Sequence, residues 1–163
     1  MPRPALASRR ALLLAPLMML AACAGVGSAA LPYHAFELGV TAEAGTLRHL
    51  RWHYGDIRSG DKTVAVGTGI PFTLRRQPMP VPDFCHIRWQ AAAGTWRLAH
   101  VPVRGQLRAS VEGHSVLFMV EPDGVRGEWI TYTPRGDQRE LFARVSARVV
   151  DEATAVGVGL PGR

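Results

Sequence analysis

The feature that most constrains this chain is the alternation of apolar and polar residues in short runs from residue 35 onward. In the segment 46–54, for example, Leu50, Trp52 and Tyr54 alternate with polar residues, which is the period of a strand with one buried face. The same pattern recurs, with turn residues between the runs, in the segments 35–42, 84–90, 95–103, 116–120, 129–133 and 139–150. We therefore predict an all-β fold, a β-sandwich or open barrel of about seven to eight mostly antiparallel strands.

Two of these segments predict a hairpin with a definite register. Residues 84–90 and 95–103 are separated by three alanines and Gly94. With Gly94 in the left-handed conformation, a four-residue loop places Trp89 opposite Trp96 and keeps the apolar side chains on one face. At most one short helix is predicted, near residues 105–112.

The chain divides into four parts. Its length of 163 residues fits one domain, since domains contain roughly 100–200 residues. We assign residues 1–22 to a signal peptide, 23–32 to a flexible tether, 33–150 to the β-sandwich domain and 151–163 to a flexible, glycine-rich tail. Within the domain, the frequent Gly and Pro residues of 67–82 predict a long loop.

The first 22 residues have the layout of a bacterial export signal. Arginines come first, an apolar run extends from Ala11 to Ala22, and small residues follow. The run has 12 residues, whereas a helix that spans a bilayer needs about 20. It is therefore too short to be a membrane anchor.

The run ends in Leu20-Ala21-Ala22-Cys23, which resembles the lipobox of bacterial lipoproteins. In that family the chain is cut at the bond that corresponds to Ala22–Cys23, and the cysteine is acylated. The resemblance implies that acylated Cys23 attaches the protein to a lipid bilayer, and several acyl chains together anchor stably. In that family an Asp after the cysteine signals retention in the inner membrane, so Ala24 at this position implies, by the same resemblance, the periplasmic face of the outer membrane.

Other routes of export and placement stay open. Residues 28–30 also suit an ordinary signal peptidase, which would release a soluble periplasmic protein beginning at Leu31 and discard Cys23. Residues 8–13 are similar to a twin-arginine signal, a route that is compatible with lipidation. Retention in the inner membrane is a further alternative.

The net charge of +6 is unevenly distributed. Three of the 19 basic residues lie in the first 22 residues, which contain no acid. The rest of the chain therefore carries 16 basic and 13 acidic side chains. Such a small, interspersed excess does not form a nucleic-acid footprint, so no nucleic-acid partner is expected.

The cysteines offer one candidate for chemistry. If Cys23 carries lipid, Cys85 has no partner for a disulfide. The predicted hairpin places Cys85 opposite His100, and a Cys–His pair can supply a nucleophile and its base. No third polar group accompanies this reactive pair, which favours a buried, inert thiol. No other catalytic residue is predicted.

The histidines do not predict a metal site. His49 and His53 lie about 13 Å apart if the segment is a strand, and the predicted register puts His86 and His100 on opposite faces. A structural or catalytic metal needs three or four ligands, so neither a metal nor another cofactor is expected. The tryptophans are predicted to belong to the core rather than to a sugar-binding platform, because each occupies an inward strand position. They are Trp52, Trp89, Trp96 and Trp129.

Five short motifs in the central part of the chain are less generic. They are Trp52–Gly55, Met79–Asp83, Ile87–Trp89, Val101–Arg104 and Gly113–Phe118. Together they resemble a family of uncharacterised bacterial lipoproteins, over residues 50–130. Members of that family are all-β, and several lie beside type VI secretion effectors as immunity proteins. The resemblance implies no catalytic residues.

These observations lead to three functional hypotheses. The first is a membrane-anchored periplasmic lipoprotein that binds another protein and is not an enzyme; its sharper form is an immunity protein that neutralises a secretion-system effector. The alternative is an envelope assembly or maintenance lipoprotein that docks on a membrane complex through an exposed edge strand. The third is a small hydrolase that uses Cys85 and His100.

Overall fold

The structure, a computed structural model, describes residues 30–107 and 110–157. They form eleven strands and one short α-helix, and eight of the strands have seven residues or more. The elements are β1 (Tyr33–Val40), β2 (Leu47–Tyr54), β3 (Ile57–Arg58), β4 (Lys62–Val64), β5 (Gly69–Pro78), β6 (Phe84–Gln90), β7 (Trp96–Pro102), β8 (Ser115–Glu121), β9 (Gly124–Thr133), β10 (Gly136–Ser146), β11 (Arg148–Val150) and α1 (Glu152–Gly157). The predicted all-β fold is confirmed.

The strands form two sheets. The first has the order β10-β9-β8-β1-β5, and the second has the order β11-β7-β6-β2-β3, with β4 also paired to β2. Every strand pair is antiparallel except β1 with β8. Only Ala147 separates β10 from β11, so a nearly continuous stretch of chain passes from the first sheet to the second.

Alternate residues of both sheets face the core. In β1 these are Phe36 and Leu38, both fully buried, and the ring of Phe36 lies at the centre of an aromatic cluster. Its centroid is 4.5 Å from that of Trp52, 5.0 Å from that of Tyr54 and 5.6 Å from that of Phe118. Burial of this apolar area is the main stabilising contribution that the sequence pattern predicts.

The predicted loop 67–82 is wrong, because most of it is the ten-residue strand β5. Among the described residues this strand pairs with β1 alone and forms an edge of the first sheet. An edge strand tolerates Pro71 and Pro78, since it has no second neighbour that needs their missing N–H groups. The prolines that indicated a loop therefore mark an edge.

The predicted register of the β6–β7 hairpin is wrong by one residue. Trp89 lies opposite Arg97, and Gln90 lies opposite Trp96. Gly94 does adopt a positive φ of 82°, but the loop contains five residues rather than four. Because side chains alternate between faces, a shift of one residue moves Trp96 from the core side of the sheet to its outer side.

The prediction of a flexible tail over residues 151–163 is also wrong in part. The segment Glu152–Gly157 is the helix α1, and Ala155 within it is fully buried. The predicted helix near residues 105–112 is replaced by a 3₁₀ turn at Arg104–Gln106. Residues 108–109 and 158–163 lie outside the described residues.

His34, near the start of β1, is a buried titratable residue whose pKa can be used to test the structure. The side chain is fully buried, its Nδ1 lies 3.1 Å from the carbonyl oxygen of Pro32, and its Nε2 lies 3.0 Å from the hydroxyl of Tyr54. Burial lowers the pKa of His34, although the Pro32 carbonyl and the Glu112 carboxylate oppose this. In the unfolded chain the value is about 6.5.

We expect the free energy of unfolding to fall as the pH is lowered from 7.5 to 5. A folded pKa below the unfolded one stabilises the fold fully above about pH 6.5, and this contribution is lost as the pH falls toward the folded pKa. Urea unfolding followed by tryptophan fluorescence measures the effect. His34→Leu should lose less stability over this range than the parent, and parallel pH curves for the two proteins would contradict the assignment.

Candidate functional site

Three histidines form a row across the outer face of the second sheet. The backbone register places His53 of β2 opposite His86 of β6, and His86 opposite His100 of β7. The His53 and His86 ring centroids are 6.0 Å apart, and those of His86 and His100 are 4.6 Å apart. We call these three residues the histidine row.

The contact between His86 and His100 is the closest in the row. Their Nδ1 atoms are 2.5 Å apart, and the two rings are nearly perpendicular, at 84°. Burial, together with His100 and His53, lowers the pKa of His86 to about 4. Burial and the charge of Arg148 lower the pKa of His100. Both rings are therefore neutral at pH 7.

The predicted reactive pair of Cys85 and His100 does not exist. Cys85 lies opposite Val101 and is fully buried in the core, whereas His100 is exposed on the outer face. Burial raises the pKa of the Cys85 thiol well above its usual value. The physical reason is again the hairpin register, since residues with adjacent positions on one strand face opposite sides of the sheet.

Beside the histidine row, Arg88 connects the second sheet to α1. Its guanidinium donates a hydrogen bond to the carbonyl of Ala155 and lies 3.6 Å from a carboxylate oxygen of Asp61. It also lies over the ring of Trp96, 5.4 Å from the ring centroid. The arginine side chain is only 10% exposed, so these contacts hold a buried cation between sheet and helix.

A second polar surface covers the outer side of the first sheet. At one end the Tyr132 hydroxyl donates a 2.7 Å hydrogen bond to Glu37 and lies 3.2 Å from the Ser115 hydroxyl oxygen. The guanidinium of Arg76, from the edge strand β5, lies 5.2 Å from the centroid of the Tyr132 ring. Tyr132 is 44% exposed, so its ring and the arginine over it are presented to solvent.

Further along this surface, arginine side chains are more exposed to solvent than the glutamate side chains with which they pair. The side chains of Glu121 and Glu128 are 23% and 11% exposed, whereas those of Arg139 and Arg144 are 50% and 61% exposed. Arg126 is within 3.2 Å of Glu121 and 2.7 Å of Glu128 and links the two acids. In the pairs Arg139–Glu128 and Arg144–Glu121 the cation is therefore the more exposed partner, and the exposed acid Asp137 lies opposite Tyr132 at the other end of the surface. We call the set of Arg76, Arg126, Tyr132, Arg139 and Arg144 the arginine face.

A groove of about 870 Å³ opens at the end of the arginine face, beside the turn between β8 and β9. Arg126 and Arg144 line it together with Glu43, Glu121 and Asp123. The mixed charges of the lining suit a polar or peptide ligand better than an apolar one.

The remaining predicted site residues can be located only in part. Cys23, the predicted lipidation site, and the predicted cleavage bond after Ala22 lie outside the described residues. Trp52 and Trp89 belong to the core, as predicted, whereas Trp96 packs on the outer face against the ring of His49. Trp129 is half-buried beside His114.

Sequence reasoning missed both outer surfaces for different reasons. The histidine row had a partial local signal, because His53 and His86 occupy outward positions in predicted strands, but the predicted hairpin register placed His100 on the inner face. The arginine face had no local signal, because Arg76 belongs to β5, while Arg139 and Arg144 belong to β10 at the opposite end of the sheet order.

Comparison of the chain with protein-family models, curated proteins and solved structures found no match in any of the three. Within the described ranges, no three or more His, Cys, Asp or Glu side chains are grouped so that they could hold a metal ion. Among the same residues there is no helix of the length and apolarity needed to span a membrane.

Proposed function

We propose that this protein is a lipoprotein of the outer membrane, facing the periplasm, and that its β-sandwich binds another protein and catalyses nothing. The anchor is argued from Leu20-Ala21-Ala22-Cys23, which resembles a lipobox. The sharper form of the proposal is an immunity protein that neutralises a secretion-system effector. It rests on the resemblance of residues 50–130 to a lipoprotein family with such members.

The arginine face is the observation that carries the binding function. Tyrosine and arginine are the residue types that contribute most to protein–protein binding, and here they lie side by side on a rigid sheet. Glu121 and Glu128 are mostly covered, while their partners Arg144 and Arg139 are at least half exposed. We therefore propose that the partner presents an acidic surface to this face.

The length of the tether is compatible with a partner that is bound close to the membrane surface. The tether 23–32 has ten residues and spans at most about 35 Å when fully extended. The domain would thus stay within a few tens of ångströms of the membrane surface. An effector that attacks envelope lipids would be met there.

The lipid anchor is tested by growing cells with a labelled fatty acid. We expect the label in the parent chain and its complete loss in Cys23→Ala, because Cys23 is the only cysteine of the tether. Cys85→Ala is the matched control and should keep the label, since that thiol is buried in the core. An unlabelled soluble product that begins at Leu31 would overturn the anchor.

The partner is tested by affinity capture from envelopes of the native organism. We expect Arg139→Glu with Arg144→Glu to reduce capture by about tenfold or more, because like charges would then face an acidic partner. Arg48→Glu, at an exposed arginine of the second sheet, makes one such charge reversal away from the arginine face and should leave capture unchanged. Equal capture by both variants would exclude the arginine face as the binding surface.

A specific observation also favours the second candidate, an envelope assembly or maintenance lipoprotein. The edge strand β5 has ten residues, is largely exposed, and, within the part of the chain that the structure describes, pairs on one side only. Such an edge can add a strand from a partner, although Pro71 and Pro78 restrict the pairing. The identity of the captured protein separates the two candidates: a secreted effector supports immunity, and a stable membrane complex supports assembly. The hydrolase hypothesis is not retained, because its two residues lie on opposite faces.

A further inference from the structure

The His86–His100 contact has a geometry that packing alone does not require. Neutral imidazole has one N–H group and one nitrogen lone pair, and which nitrogen carries the proton depends on its partners. With both protons on Nε2, each Nδ1 has a lone pair that can coordinate a metal ion. At 2.5 Å the Nδ1 atoms are about 0.8 Å closer than the roughly 3.3 Å between two nitrogens of a tetrahedral zinc site.

We propose that His86 and His100 chelate one divalent transition-metal ion on the outer face of the second sheet, with water completing its coordination. A small rotation of the exposed His100 ring opens the nitrogen separation to the required value. The two residues are directly opposed on paired strands, so the sheet fixes their Cα atoms in advance. Preorganisation of this kind lowers the entropic cost of binding.

The donor set selects the class of metal. Imidazole nitrogen suits copper, nickel and zinc, whereas calcium and magnesium need oxygen ligands. Among these metals, Cu²⁺ should bind most tightly.

The surroundings limit the affinity. Arg58 lies opposite His53 in the backbone register, and the charge of Arg148 acts on His100. Asp56 is the acid whose charge acts on His53, at the far end of the row. An arginine thus lies near each end of the histidine row, and its positive charge repels a bound metal ion. We therefore expect a micromolar rather than a nanomolar dissociation constant.

Calorimetric titration tests the proposal on the full chain, purified in detergent through a tag that contains no histidine. Separate titrations use Cu²⁺, Ni²⁺, Zn²⁺ and Mg²⁺ salts. We expect one equivalent of Cu²⁺ to bind, Ni²⁺ and Zn²⁺ to bind more weakly, and Mg²⁺ not to bind. His100→Ala should weaken Cu²⁺ binding by at least about tenfold, since even outer-shell partners of a metal contribute that much.

His49→Gln is the matched control, because His49 is an exposed histidine on the same sheet face whose ring stacks on Trp96. It should bind Cu²⁺ like the parent. His86→Ala should abolish binding, and circular dichroism confirms that each variant is folded; the exposed position of His100 makes its variant decisive if His86→Ala unfolds. Absence of saturable Cu²⁺ binding, or equal binding by the parent and His100→Ala, would overturn the proposal and leave the contact as a hydrogen bond only.

Discussion

Phe36→Ala should lower the free energy of unfolding by about 3–5 kcal/mol, the cost of replacing a buried phenylalanine by alanine. Phe36 is fully buried, and its ring is in contact with aromatic rings of both sheets, those of Trp52 and Phe118. The substitution would therefore leave a cavity at the point where the two sheets meet. Because a domain is stable by only about 5–15 kcal/mol, the variant should be close to unfolding at 37 °C.

Phe84→Ala is the matched control for this substitution. Phe84 is the first residue of β6 and is 48% exposed, so its loss should change the free energy of unfolding by less than about 1 kcal/mol. Urea unfolding, followed by circular dichroism, gives both values. Similar losses for the two variants would contradict the position of the core.

Arg88→Ala should destabilise the protein by about 3 kcal/mol and release α1. The substitution removes a charge-assisted hydrogen bond to the carbonyl of Ala155 and the cation–π contact with Trp96, and both lie in a largely buried region. Limited proteolysis should then cleave the chain within Glu152–Gly157 at protease concentrations that leave the parent intact.

Arg51→Ala is the control: it removes the same positive charge near Asp61 but from an exposed side chain. Arg51 and Arg88 both lie near the carboxylate of Asp61, but the side chain of Arg51 is 45% exposed and that of Arg88 is 10% exposed. An exposed pair contributes about 1 kcal/mol or less, so Arg51→Ala should leave α1 protected. Equal protease sensitivity of the two variants would show that α1 is not held by Arg88.

Much of the fold could be predicted from local pattern. Period-two alternation identified β2, β6 and β7 nearly to the residue, because each of these strands has one buried face. The strand β5 was missed because Gly69, Pro71 and Pro78 indicate turns wherever they occur. Only the topology, which leaves this strand at an edge, makes them compatible with a sheet.

The candidate sites depended on quantities that local sequence does not contain. One additional residue in the β6–β7 loop exchanged the predicted Cys85–His100 pair for the observed His86–His100 pair. Loop length in a hairpin of alanines is weakly specified, since alanine fits many turn conformations. The arginine face depends on strand order, which places β10 and β5 at the two ends of one sheet.

Site-specific photo-cross-linking in the native organism tests whether the arginine face binds a protein. A photoreactive residue replaces Leu141, which is 53% exposed on the same side of β10 as Arg139. A second chain carries it at Val66, which is 58% exposed in the loop before β5. We expect a cross-link to one protein from position 141 and none from position 66. No cross-link from position 141, or the same products from both positions, would contradict binding at the arginine face.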